Sequence, residues 1–305
     1  MAASVAFRIR MRVHHLNTAT MCPLSPRLTT GRGRLFGRAR LVCHVLLVET
    51  PRDGLVLVDT GLGMGDIADP ERLGRRWVRL TAPRLDPDET ALARVRALGH
   101  DPADVRHIAL THLDLDHAGG VPDFPRARVH VHRREHDAAM SGTGPRAAYR
   151  YIPGHWSHGP DWQPFDDGGE AWFGFDGVRS LLGDPDLLAI PLPGHTPGHT
   201  AYAVRTGGRW RVHAGDAYFF HGQIETPSHA PLMQRWFQRK VDTDRAQRRA
   251  NQERLRVLRA EHGDEVLIVN GHDPVELERA AAVVEGPATA GPRGRLAPCS
   301  AASPT

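Results

Sequence analysis

The stretch that most constrains this chain is Thr111-His112-Leu113-Asp114-Leu115-Asp116-His117-Ala118-Gly119-Gly120. Four side chains able to ligate metal fall within six residues, directly after the apolar, strand-like run Ile108 to Leu110. Alternation lets His112, Asp114 and Asp116 fan outward from a loop while the adjacent His117 points elsewhere, so one short segment can serve two ions. Gly119 and Gly120 then let the backbone turn away.

Histidine and aspartate near a turn are commonly solvated loop residues, so the cluster needs support from elsewhere in the chain. Four further stations supply it: Val58-Asp59-Thr60-Gly61, then Pro193-Gly194-His195-Thr196-Pro197-Gly198-His199, then Ala214-Gly215-Asp216, and last Asn270-Gly271-His272-Asp273. In this order the five motifs resemble the signature of the metallo-β-lactamase fold hydrolases, usually His-x-His-x-Asp-His at the first cluster. Asp114 stands where those enzymes carry their second histidine. The motifs are specific for the fold and not for the substrate.

The resemblance implies an α/β protein, a four-layer αββα sandwich with metals at one edge between two sheets. It implies that His112, Asp114 and His195 hold a first divalent ion, that Asp116, His117 and His272 hold a second, and that Asp216 bridges them. Asp59 is implied to orient ligands by hydrogen bonds, and His199 to be structural. Zinc suits such a pair, while the two-histidine, one-carboxylate set at the first position also suits iron or manganese. Two ions acidify a bridging water into a hydroxide nucleophile and polarise the carbonyl under attack. Asp116 and Tyr218 are the residues expected to act at the substrate. Tyr218 lies two positions beyond Asp216, whereas lactonases of the superfamily carry a tyrosine three beyond, where this chain has Phe219. The leading expectation is hydrolysis of a carboxylic ester, a small lactone first. A thioester hydrolase of the glyoxalase II kind is the rival, kept open by the arginines of 245–259. A di-iron, oxygen-handling oxidoreductase is the alternative from another class, disfavoured because too little chain follows His272 for a flavin domain.

Composition narrows the partners. The 39 basic and 35 acidic residues give a net charge of only +4, with Lys240 the single lysine, and no basic stripe interleaved with aromatics points to nucleic acid. A hydrophobic content of 40% is ordinary for one buried core, and the stations from Asp59 to His272 favour a single domain over residues 1–285. Residues 286–305, rich in Ala, Pro, Gly and Ser, are expected to be a disordered tail. No apolar run reaches membrane-spanning length, and arginines interrupt the start where a secretory signal would be apolar, so a cytoplasmic protein with a small-molecule substrate is expected, an oligomer being open. Cys22, Cys43 and Cys299 are odd in number and lack CxxC spacing, which leads us to expect free thiols.

Local patterns place the motifs on elements. Alternation over Val5 to Val13 predicts a first strand, and Asn17 to Phe36 reads as a loop in which Met21, Cys22 and Pro23 either pack or line the mouth of the site. Leu41 to Glu49 and Leu55 to Asp59 predict a hairpin, and Asp86 is expected to start a helix that Gly99 ends. Val129 to His132 predicts a strand whose imidazoles are surface or hydrogen-bonded groups. Leu187 to Ile190, then Ala201 to Arg205 paired with Trp210 to Ala214, and finally Val266 to Asn270 are the remaining strands. Asp244 to His262 and Pro274 to about Glu285 are expected helices. The aromatic stretch from Tyr149 to Phe175 either packs a satellite core or walls a pocket.

Overall fold

The computed structural model describes residues 11–143, 147–283 and Cys299. The first sheet runs in sequence order: β1 (Arg12–Met21), β2 (Leu41–Glu49), β3 (Leu55–Val58), β4 (Val105–Ala109), β5 (Arg128–His132) and β6 (Asp161–Phe165). The second comprises β7 (Glu170–Trp172), β8 (Phe175–Leu181), β9 (Asp184–Pro191), β10 (Thr200–Thr206), β11 (Arg209–His213) and β12 (Val266–Val269), also paired in order.

Alternation in the strands explains why the sheets stack. In β3, Val56 and Val58 join a core with Leu187, Ala189, Tyr202 and Val204 of the opposing sheet, whereas Leu55 and Leu57 face outward onto a second core with Val95. In β10, Ala201 and Ala203 face outward onto a third core, which Leu255 and Leu258 of the helix Arg245–His262 complete. Strands apolar on both faces require cover on both faces, and the order is therefore helix, sheet, sheet, helix.

The site follows from strand direction. β3 is parallel to β4, and β9, β11 and β12 share one direction, since β10 is antiparallel to both β9 and β11, and β11 is parallel to β12. The segments that leave these strands carry Asp59, the 112–117 cluster, His195, Asp216 and His272 to one edge, where Thr200 N donates to Thr111 O at 2.9 Å across the sheets. Glu135, fully buried in the first turn of the helix Arg133–Ser141, accepts from Leu113 N at 3.0 Å, Tyr151 OH at 3.1 Å and Gly198 N at 3.1 Å. It clamps the 112–117 loop to the loop bearing His195.

Several expectations need correction. Val5, Phe7 and Ile9 lie outside the described residues, and the first strand runs on through Asn17–Met21, the segment expected to open a loop. Threonine is a strand former, and here its hydroxyls find partners brought in by the fold: Thr18 donates to Cys43 O and Thr20 to Glu89. Met21 and Cys22 are buried, which is the packing alternative. The helix expected from Asp86 is split, with Asp86 capping a short 3-10 turn and Thr90 capping the helix Ala91–Ala97. Cys22 and Cys299 are not free thiols. They form a disulfide with Cα atoms 5.9 Å apart across a sequence separation of 277, a pairing that local spacing cannot signal. Cys43 is free and buried. Apart from Cys299, the tail expected to be disordered lies outside the described residues. No helix among the described residues is long and apolar enough to cross a membrane.

Replacing Glu135 by alanine should strand two buried backbone donors and a tyrosine hydroxyl, lowering stability by about 1–3 kcal/mol. Chemical denaturation measures this. An unchanged midpoint would show that the clamp adds nothing.

Candidate metal centre

Two of the imidazoles at the edge are set by what holds their outer nitrogen. His117 Nδ1 lies 2.8 Å from Asp59 Oδ2, and His272 Nδ1 lies 2.9 Å from the carbonyl of Val42, so both rings turn Nε2 inward. Asp59 itself sits at φ 62, a left-handed conformation that aspartate tolerates better than most side chains. From there it also accepts from Thr111 N at 2.7 Å and Thr111 Oγ1 at 2.8 Å. His199 accepts from Asp216 N at 2.9 Å and lies 3.1 Å from Leu192 O, which makes it a support for the Asp216 backbone.

The inward groups form two clusters joined by one carboxylate. On one side, Asp216 Oδ2 is 3.7 Å from His112 Nε2 and 3.4 Å from His195 Nε2, while Asp114 Oδ2 is 3.5 Å and 3.1 Å from the same two nitrogens. On the other, Asp216 Oδ1 is 3.4 Å from His117 Nε2 and 3.1 Å from His272 Nε2, those nitrogens are 3.4 Å apart, and Asp116 Oδ2 is 3.8 Å from His272 Nε2. A tetrahedral ion with ligand bonds of roughly 2.0–2.1 Å separates its ligands by about 3.4 Å. His112, Asp114, His195 and Asp216 on one side and His117, Asp216 and His272 on the other come close to that spacing, whereas Asp116 gathers with His272 and the buried thiol of Cys43. His112 Nε2 and Asp216 Oδ1 are buried with no hydrogen-bond partner, as atoms reserved for a cation would be. A Cβ on Gly271 would come within 2.9 Å of His117 and 3.1 Å of Asp216 Oδ1, so the backbone there must be bare. Residues and spacing fit a pair of divalent ions.

Electrostatics agree. Burial opposes ionisation of Asp216, but His272 and His117 hold its carboxyl well below the usual carboxylate range. Burial likewise opposes protonation of His272, and Asp216 overrides it, raising that imidazole to about 9.

The seven expected ligands are all at the edge, but a contact absent from the sequence reading joins them. Arg150, almost fully buried at the end of the short helix Ala147–Arg150, donates from Nη1 to both oxygens of Asp114 at 2.7 and 2.6 Å. The same nitrogen is 3.2 Å from His195 Nε2, and Nη2 donates to the carbonyl of Val241. Burial opposes the charge on Asp114, and Arg150 reverses this, holding the carboxyl well below its usual range. Arg150 comes from the start of the aromatic stretch, which itself packs: Tyr151, Trp156 and Trp162 against one core, Trp172 and Phe173 against another. His130 and His132 are hydrogen-bonded to His107 and Asp167, away from the centre.

Tyr218 is placed differently from its expected role. Its side chain is fully buried and its hydroxyl donates to Glu276 at 3.1 and 3.0 Å. Phe219 is the neighbour that reaches the centre, its ring 5.8 Å from that of His195 and 5.5 Å from that of His272. It also lines a cavity of about 260 Å³ with Arg38, Leu41, Phe220 and Asp273.

Comparison with known proteins gives the same picture. A family model described as the metallo-beta-lactamase superfamily matches residues 38–272. A protein of Mycobacterium tuberculosis named "Probable metallo-hydrolase" is 42% identical over 266 residues, 87% of this chain and 81% of that protein. The N-acyl homoserine lactonase AttM of Azorhizobium caulinodans is 31% identical over 171 residues, 52% of this chain and 58% of the lactonase. Among solved structures, an N-acyl homoserine lactone hydrolase with N-hexanoyl-L-homoserine bound at its metal centre superposes with a TM-score of 0.64 at 20% identity, covering 88% of this chain and 95% of that one. The dizinc quorum-quenching lactonase AidC superposes with a TM-score of 0.56 at 18% identity, covering 87% and 88%.

Burial pushes the Glu276 carboxyl up to about 8, with Asp273 adding to the effect. Because this folded value lies above the unfolded one, the stabilisation is complete below about pH 4.3 and is lost as pH rises to about 8. Melting curves of Glu276→Gln and the parent from pH 5 to 9 should show a steeper alkaline decline in the parent, and parallel curves would refute the shift.

Proposed function

The chain belongs to the metallo-β-lactamase superfamily as a metal-dependent hydrolase, and from that premise we propose that it opens carboxylic esters, a small lactone being the leading substrate. His112, Asp114 and His195 would hold one divalent ion, Asp116, His117 and His272 a second, with Asp216 shared between them. The observation that carries this reading is that the two oxygens of Asp216 face different histidine pairs. When bound, such a pair polarises a carbonyl and acidifies water at neutral pH. Zinc is the first choice, with iron or manganese suited to the site that contains Asp114.

The chain's own residues do the rest. Asp59 and the Val42 carbonyl keep the imidazoles of His117 and His272 aimed. Asp116, partly exposed beside His272, would carry a proton to the departing alkoxide. Phe219 offers an apolar wall to the acyl group and excludes water. The N-acyl homoserine lactonases among the relatives favour a lactone over a thioester. So does the use of arginines on the helix Arg245–His262: Arg248 donates to Asp242 and Arg254 to the carbonyl of Gly174, while Arg259 is bound to Glu225.

A panel of lactones, thioesters, phosphotriesters and β-lactams, each assayed with zinc, manganese and iron, tests the proposal. Lactones should turn over fastest, a chelator should abolish the rate and added metal restore it. Finding clearly less than one transition metal per chain after reconstitution would end the reading. Tyr218→Phe should keep the rate within a few-fold while losing about 1 kcal/mol of stability, because its hydroxyl serves Glu276. A loss of several hundred-fold in rate with stability intact would return Tyr218 to the reaction.

A further inference from the structure

Aspartate at position 114 brings a negative charge that a neutral imidazole would not, and the structure places one cation against it. Arg150 touches both carboxylate oxygens from a single nitrogen, is 6% exposed, and reaches the carbonyl of Val241 at the C-terminal end of the helix Leu232–Val241. Its Nη1 is also 3.2 Å from His195 Nε2, so this guanidinium stands at the rim of the first cluster itself. Asp114 Oδ2, the oxygen nearest Arg150, is the one that faces both His112 and His195. The carboxylate therefore has two duties at once, toward the cluster and toward the arginine.

We propose that Asp114 and Arg150 act as one unit, a charge-neutral ligand pair in which Arg150 is the positioning residue that lets an aspartate occupy a place filled by histidine elsewhere in the superfamily. This rests on the two-ion reading above and adds a condition to it. With Arg150 paired, the first cluster carries the same formal charge as one made of three neutral imidazoles. Without Asp114, Arg150 is a buried cation with one carbonyl partner, set beside a site for another cation. Asp114→His alone therefore does not restore the commoner three-histidine site. It leaves a positive charge that repels the ion, and an uncompensated buried charge typically outweighs the gain from one added ligand. Removing Arg150 alone leaves a carboxylate tied only by the cluster, so an ion should still bind but the metal-free protein should lose cohesion between the 112–117 loop and Val241.

A double-mutant cycle on the full chain tests this by metal content and melting, neither of which needs a substrate. Asp114→His should lower the affinity for the more weakly held ion by about 100-fold or more. Arg150→Met should keep both ions within about 10-fold of the parent, the lower bound of an outer-shell change. Combining the two should recover most of the ion binding that Asp114→His loses. In the metal-free proteins the two melting-temperature losses should be clearly smaller in combination than their sum. If Asp114→His does not fold, Asp114→Asn removes the same charge at the same shape, and Arg150→Lys, which keeps the charge, should melt above Arg150→Met. Additive losses, or an Asp114→His protein that binds both ions as tightly as the parent with Arg150 in place, would overturn the proposal. Coupling found in a protein inactive on every ester would instead overturn the ester-opening proposal and leave the pair standing.

Discussion

The structure turns on one buried carboxylate shared between two pairs of imidazoles. Asp216 places one oxygen toward His112 and His195 and the other toward His117 and His272, and its own backbone N–H is taken by His199. A carboxylate in that position is expensive unless polar groups that can share a cation or a proton with it converge on both of its oxygens. Four histidines cannot converge from one element. They arrive on segments leaving β4, β9 and β12, and the two sheets must therefore stack with those ends at the same edge. The clamps at that edge serve this arrangement: Glu135 joins two ligand loops, and Gly271 N donates to Gly215 O at 3.0 Å, holding the last ligand segment against the one that bears Asp216.

Orientation is as costly to arrange as proximity. An imidazole is aimed best at such a centre when one nitrogen is occupied by a partner and the other is left bare. His117 uses Asp59 and His272 uses a strand carbonyl, so second partners are drawn from the fold's own hydrogen bonding. Glu276 does comparable work at the end of β12. It accepts from Asn270 N and Nδ2 and from Tyr218, fixing the turn that presents His272, and this explains why a tyrosine beside the bridging aspartate faces inward to the core.

What was legible in the sequence is what is encoded locally. His112, Asp114, Asp116 and His117 are close in the chain, and the strands that deliver them announce themselves by apolar runs because both sheet faces are covered. Asp59, His195, Asp216 and His272 were legible only through the order of motifs, which carries the fold's topology. What depends on long-range pairing was not legible. Arg150 finds Asp114 across 36 residues, and nothing in its neighbourhood of aromatics distinguishes it from the chain's many other arginines. Thr18 and Thr20 suggested a loop by polarity, yet their hydroxyls are satisfied within the fold and their backbones belong to β1. The aromatic stretch was ambiguous because a core and a pocket wall ask for the same residues, and here the rings pack while the arginine just before them reaches the centre.

The choice of aspartate at position 114 has a physical logic that residue softness alone does not supply. A ligating imidazole whose other nitrogen is held by a partner has a single lone pair left, and that lone pair is committed to the ion. A carboxylate has two oxygens and about four acceptor sites, so it can face His112 and His195 across a cation site while accepting from an arginine. Arg150 in turn binds the carbonyl of Val241, next to Asp242, whose Oδ1 lies 3.8 Å from His195 Nδ1 and whose Oδ2 accepts from Arg248. One carboxylate–guanidinium contact thus ties the first cluster to the C-terminal end of a helix that a histidine at the same place could not reach. The harder ligand and the buried arginine are consequences of a single requirement, that this ligand be anchored from outside the cluster as well as from within it.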